Sequence, residues 1–142
     1  MATPQLGVLG IVVADMARSL AFYRQLGFAI PPEADAQPHV EVALPGGLQL
    51  VWDSVDMIRS FDPDYVAASG SGRVFLAFKF DSPAAVDATY DQLLTAGYHG
   101  HLPPWDAFWG QRYARIHDPD GNSVDLFADP ATNASSSATS GR

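Results

Sequence analysis

The fold is decided by residues 7–27, GVLGIVVADMARSLAFYRQLG, and by the return of the same pattern later in the chain. Gly7 to Val13 is a short apolar run rich in β-branched residues, which reads as a buried strand. Asp15 is placed to cap a helix. Met16, Leu20 and Tyr23 then share one face at helical spacing through Leu26, and Gly27 stands where a helix-ending glycine is wanted. Phe28-Ala29-Ile30 reads as a second short strand, stopped by Pro31 and Pro32. His39 to Leu44 and Leu48 to Asp53, joined by Pro45-Gly46-Gly47, read as a hairpin. Ser54 to Tyr65 reads as a short helix and loop, and Ala67 to Gly72 as a flexible linker.

The pattern then starts again. Arg73 to Phe80 reads as a strand. Ser82 and Pro83 open a helix whose face is Val86, Tyr90, Leu93 and Leu94, and Gly97 closes it. Tyr98 to His101, Gln111 to His117 and Ser123 to Phe127 read as strands, the last two joined by a turn at Asp118-Pro119-Asp120-Gly121-Asn122. Strand, helix and three strands thus occur twice, displaced by about 65 to 70 residues. The expectation is an α+β fold of two βαβββ modules, about 6–66 and 73–130, in one domain spanning 1–130. Each module has one helix for four strands, so each sheet is half open and the open faces would enclose a cavity. The small polar residues of 131–142 read as a disordered tail.

Composition narrows the function. A net charge of −8 argues against nucleic acid as a partner, which calls for a basic face. With no cysteine there is no disulfide, thiolate metal site or cysteine nucleophile. No signal-peptide pattern and no membrane-length apolar run is seen, so the expected location is cytoplasmic, with no membrane partner. No serine lies in a nucleophile-elbow context, and His99, His101 and His117 are scattered and form no metal spacing.

Alternation along the strands sorts the side chains. Leu50 and Trp52, Leu76 and Phe78, Ala114 and Ile116, and Val124 and Leu126 should meet the helices. The open faces then carry His39, Glu41, Gln49, Val51, Asp53, Phe75, Lys79, Tyr113, Arg115, Asp125 and Phe127. Acids, a base and aromatics together are poor core material and suit a binding cavity. The stretch Pro104-Trp105-Asp106-Ala107-Phe108-Trp109-Gly110-Gln111-Arg112-Tyr113 is expected to begin as a loop and enter a strand near Trp109. Its dense aromatic surface is either core or a stacking surface for a ligand.

Val12-Val13-Ala14-Asp15 with Ser19 to Phe28, and Asp118-Pro119-Asp120-Gly121-Asn122-Ser123-Val124-Asp125-Leu126, resemble the opening and closing motifs of the vicinal oxygen chelate superfamily. That superfamily holds glyoxalase I, extradiol dioxygenases and bleomycin-resistance proteins, and the resemblance implies paired βαβββ modules. A closer likeness, to the mitomycin-resistance proteins of the antibiotic-binding branch, lies in Pro38-His39, Trp52-Asp53 with Arg59 to Pro63, and Gly100 to Trp105 running into Trp109 to Ala114. It implies non-covalent sequestration of an aromatic antibiotic of the mitomycin, bleomycin or quinoxaline kind. Trp109 would stack on the drug, Asp53 and His39 would be polar contacts, and Trp105, Tyr113, Gln49 and Phe75 would complete the ligand site. No catalytic residue, metal or cofactor is implied, and a homodimer is expected.

The metal-dependent members of the superfamily place His, Glu or Gln at four strand positions. Those fall here on Val8, Gln49, Phe75 and Asp125, a poor set for a divalent ion. Two alternatives remain. One is a glyoxalase-like lyase or dioxygenase with an atypical site at Gln49, Glu41 and Asp125. The other is a non-catalytic metabolite-binding module of a biosynthetic pathway.

Overall fold

The computed structural model describes residues 3–69 and 72–131. The tail expectation at 132–142 and the linker residues Gly70 and Ser71 lie outside the described residues. The chain divides between Gly70 and Ser71 into two compact units.

The first unit runs β1 (Val8–Val13), α1 (Met16–Leu26), β2 (His39–Ala43), β3 (Gln49–Ser54) and α2 (Val55–Arg59). The strand order is β1-β3-β2, with β1 parallel and β2 antiparallel to β3. Helix α1 begins where Asp15 accepts a hydrogen bond from the Arg18 amide at 3.1 Å. It ends at Gly27, whose φ of 127° is a region that disfavours side chains. Leu20, Phe22 and Tyr23 of α1 and Trp52 of β3 are fully buried, and Tyr23 meets Trp52 edge-on with ring centres 5.2 Å apart. Val51, expected on the open face, is buried too. It sits mid-strand in the central strand, flanked in register by Gly10 and Glu41.

Phe28-Ala29-Ile30 does not form the expected strand. The Ile30 carbonyl accepts from Arg24 Nε and the Pro31 carbonyl from the same guanidinium, each at 2.8 Å. Pro31 and Pro32 have no amide hydrogen to offer a ladder. This unit is therefore βαββ rather than βαβββ.

The second unit is a full βαβββ: β4 (Leu76–Lys79), α3 (Pro83–Thr95), β5 (Gly100–Asp106), β6 (Arg112–His117) and β7 (Ser123–Ala128). The order is β4-β7-β6-β5, with β4 parallel to β7 and the other pairs antiparallel. Ser82 caps α3 by accepting from the Ala85 amide at 3.1 Å. Val86, Tyr90 and Leu93 of α3 and Ala114, Ile116, Val124 and Leu126 of the sheet are buried. At Gly100 any Cβ would overlap the Tyr90 hydroxyl, so α3 sits hard against the start of β5. Arg112 ties β6 to α3 through two hydrogen bonds to Asp87, at 2.9 and 3.2 Å.

The last strands depart from expectation at one place. β5 continues through Trp105 to Asp106, well past His101, and the chain turns at residues 107–111. The aromatic stretch thus begins in a strand and enters its turn by Trp109, the reverse of the expected order. Pro103 and Pro104 are accommodated because β5 is an outer strand of its sheet and its register shifts between Leu102 and Trp105. The fold is α+β, with two mixed sheets of three and four strands.

Candidate functional site

In the second unit the sheet and its turn gather the aromatics. Trp105 and Tyr113 are register partners across β5 and β6, with ring centres 5.7 Å apart. The turn closes through the Ala107 amide to the Gln111 carbonyl at 2.8 Å, with Gly110 at φ 98°. It sets Trp109 edge-to-face against both, 5.9 Å from Trp105 and 5.1 Å from Tyr113. Phe108 stands edge-on to Trp109 at 5.0 Å, and Tyr113 stacks on Phe127 at 6.1 Å. Trp109 Nε1 donates to Gln111 Oε1 at 3.0 Å, and Gln111 in turn donates to Asp129 at 3.2 Å. The indole is thus held in place while 48% exposed, beside a Phe108 that is 96% exposed. Large rings fixed by neighbours yet left in water make a surface suited to a flat apolar ligand. Gln111 also lines a cleft of about 390 Å³ with Ala107, Gly110 and Arg112.

Tyr113 is held from below. Its hydroxyl donates to Asp125 at 2.5 Å, and Arg115 grips the same carboxylate through Nε at 2.6 Å and a second nitrogen at 2.9 Å. The Arg115 guanidinium lies over the Phe75 ring, 5.0 Å from its centre. Burial, with the hydrogen bond to the Asp125 carboxylate, pushes the Tyr113 phenol up to about 12, so it stays a donor. The sequence placed Phe75, Tyr113, Arg115, Asp125 and Phe127 on one face, and the structure joins them. Asp125, however, is fully buried and both its oxygens are taken, so it is an internal counter-ion and no cavity-lining acid.

In the first unit, His39 and Asp53 are register partners across β2 and β3. His39 Nδ1 is 2.5 Å from Asp53, and its Nε2 is 2.8 Å from Glu41. Only the imidazolium can donate to both carboxylates at once, and first Glu41, then Asp53, raises the His39 pKa. While protonated, His39 can donate to both carboxylates and then has no free lone pair for a base. Asp53 is partly satisfied by this contact. Gln49 lies at the other end of β3, beside Val8 and Ala43, away from the His39 cluster.

The residues at the superfamily's metal positions do not fit a metal. Val8 and Phe75 offer no donor atom, and Asp125 is committed to Arg115 and Tyr113. Among the described residues no group of three or more His, Cys, Asp or Glu is placed to hold a metal ion. The remaining histidines are not scattered as expected. The His117 ring lies 5.0 Å from that of His99 and 4.9 Å from that of His101, and burial followed by these neighbours lowers the His117 pKa. Spacing could not show this, because it depends on the β5–β6 register. Phe108 was also passed over, its place at the tip of the turn being set by the late end of β5.

A four-stranded βαβββ unit preceded by a βαββ unit of matching order defines a class, the repeat proteins built from strand–helix modules with mixed sheets. Residues 5–126 match the pattern of the Glyoxalase/Bleomycin resistance protein/Dioxygenase superfamily, and the chain belongs to that family. Solved structures share the fold. A glyoxalase/bleomycin resistance protein/dioxygenase family enzyme from Burkholderia phytofirmans PsJN superposes with a TM-score of 0.75 at 20% identity, over 88% of this chain and 98% of that one. A glyoxalase/bleomycin resistance protein/dioxygenase from Nocardioides gives 0.69 at 24% identity, over 94% and 88%. A lactoylglutathione lyase from Agrobacterium tumefaciens gives 0.61 at 20% identity, over 90% and 96%. No curated protein matches in sequence.

Proposed function

We propose that this protein binds a planar aromatic small molecule without covalent chemistry and sequesters it, as an antibiotic-binding member of its family would. Drugs of the mitomycin, bleomycin or quinoxaline kind are the ligand class. The observation that carries the reading is Trp109: half exposed, braced by Trp105 and Tyr113, and fixed through Nε1 to Gln111. A bound ring stacked there would gain about 0.5–1.5 kcal/mol beyond its area burial. Phe108 offers a second apolar face next to it. The committed nitrogens of His39 and the poor donor set at the family's metal positions favour binding over acid–base or metal chemistry at those residues.

The test is calorimetric titration of the full chain with mitomycin, bleomycin and a quinoxaline acid, alongside Trp109→Ala and Gln111→Ala. Saturable binding at micromolar Kd or tighter is expected for at least one drug. Trp109→Ala should weaken it at least about tenfold, the equivalent of about 1.4 kcal/mol, and Gln111→Ala by less. Absence of saturation with all three drugs, or an unchanged Kd in Trp109→Ala, would remove the proposal.

A further inference from the structure

The His101–His117 pair serves no part of the aromatic surface. His101 stands second in β5 and His117 closes β6. The His117 amide donates to the His99 carbonyl at 2.9 Å, which brings the two strand ends together. His101 Nδ1 and His117 Nε2 then share a hydrogen bond at 3.0 Å across the strands, one ring donating its N–H to the lone pair of the other. An N···N contact requires a lone pair on at least one ring, whereas His39 presents both nitrogens to carboxylates. Asp118, next to His117, accepts from the Asp120 and Asn122 amides and from the Asn122 side chain.

Two imidazole nitrogens 3.0 Å apart match adjacent corners of a metal's coordination shell. With metal–nitrogen bonds of about 2.0–2.1 Å, that spacing subtends about 90–97° at the metal. The angle suits square or octahedral neighbours better than tetrahedral ones, where about 109° would set the nitrogens about 3.4 Å apart. Late first-row divalent ions that favour imidazole and tetragonal geometry are copper and nickel.

We propose that His101 and His117 form a two-imidazole clamp for a divalent copper or nickel ion, with water completing its shell. His101 is exposed and His117 half-buried, so the approach is from solvent and the inner ligand is held by the sheet. His99, beside His117, is the nearest further imidazole. The site is separate from the superfamily's metal positions and does not depend on the drug-binding reading.

The experiment is isothermal titration of chelator-stripped full-length protein with Cu²⁺, Ni²⁺ and Zn²⁺, with His101→Gln, His117→Gln and His39→Gln measured alongside. About one equivalent of Cu²⁺ should bind, with Ni²⁺ weaker. His101→Gln should weaken Cu²⁺ binding at least tenfold, and His39→Gln should leave it unchanged. His101 lies on an outer strand, so its variant tests the site even if His117→Gln fails to fold. A Cu²⁺ electron paramagnetic resonance spectrum should show nitrogen couplings that diminish in His101→Gln. Failure of Cu²⁺ and Ni²⁺ to bind, binding unchanged in His101→Gln, or binding lost in His39→Gln would each overturn the assignment.

Discussion

Asp125 is the residue on which the second unit's polar chemistry depends. It is fully buried, and two nitrogens of Arg115 and the Tyr113 hydroxyl neutralise it. Removing one partner of such a pair leaves a bare charge in a poor dielectric, a loss of about 3–5 kcal/mol. Arg115→Met should therefore lower the urea midpoint strongly, and Arg115→Met with Asp125→Leu should recover most of the loss. Equal destabilisation by the single and double variants would contradict the ion-pair account. Tyr113→Phe removes one hydrogen bond to a carboxylate that Arg115 still holds, and is expected to cost less, about 1.5–3 kcal/mol. The sequence placed these residues on one face by strand parity. It could not show that the acid is consumed internally, because that follows from the contact of β6 with β7 and from the depth of burial.

At the scale of elements, the antiparallel pairing of β2 with β3 aligns His39 with Asp53. The folded chain raises the His39 pKa above the ordinary imidazole value, through Glu41 first and then Asp53. Its stabilising contribution is full below the unfolded value of about 6.5 and is lost as pH rises through the higher folded one. The stability gap between wild type and His39→Gln should thus be wider at about pH 5.5 than at about pH 8.5. Urea melts at both values test this, and a gap that grows with pH would refute it. Elements whose signals are local were legible: Asp15 and Gly27 bound α1, and Ser82 opens α3. Elements decided by distant partners were not. The expected strand at Phe28–Ile30 is absent because Arg24 takes two of the neighbouring carbonyls. β5 runs long because Pro103 and Pro104 disrupt only an inner strand, and this one is outer.

For the whole molecule, two compact units give two sets of amides whose protection can be followed separately. Trp52 is fully buried in the first unit against Tyr23. Trp52→Ala should cost about 3–5 kcal/mol, and residue-resolved hydrogen exchange should show the loss in β1 and β3 before β6 and β7. Uniform acceleration throughout would mean that the two units open together. The repeat itself was readable from the two strand–helix openings, and so was the family. The aromatic surface was readable as composition, while its exposure depended on where a turn fell. Pro103 and Pro104 carry a further consequence for the chain in a crowded cell. They remove two successive amide N–H groups from the outer strand of the four-stranded sheet, one on each of its sides. A foreign strand laid along β5 would find the ladder broken there, which guards that rim against fibrillar growth.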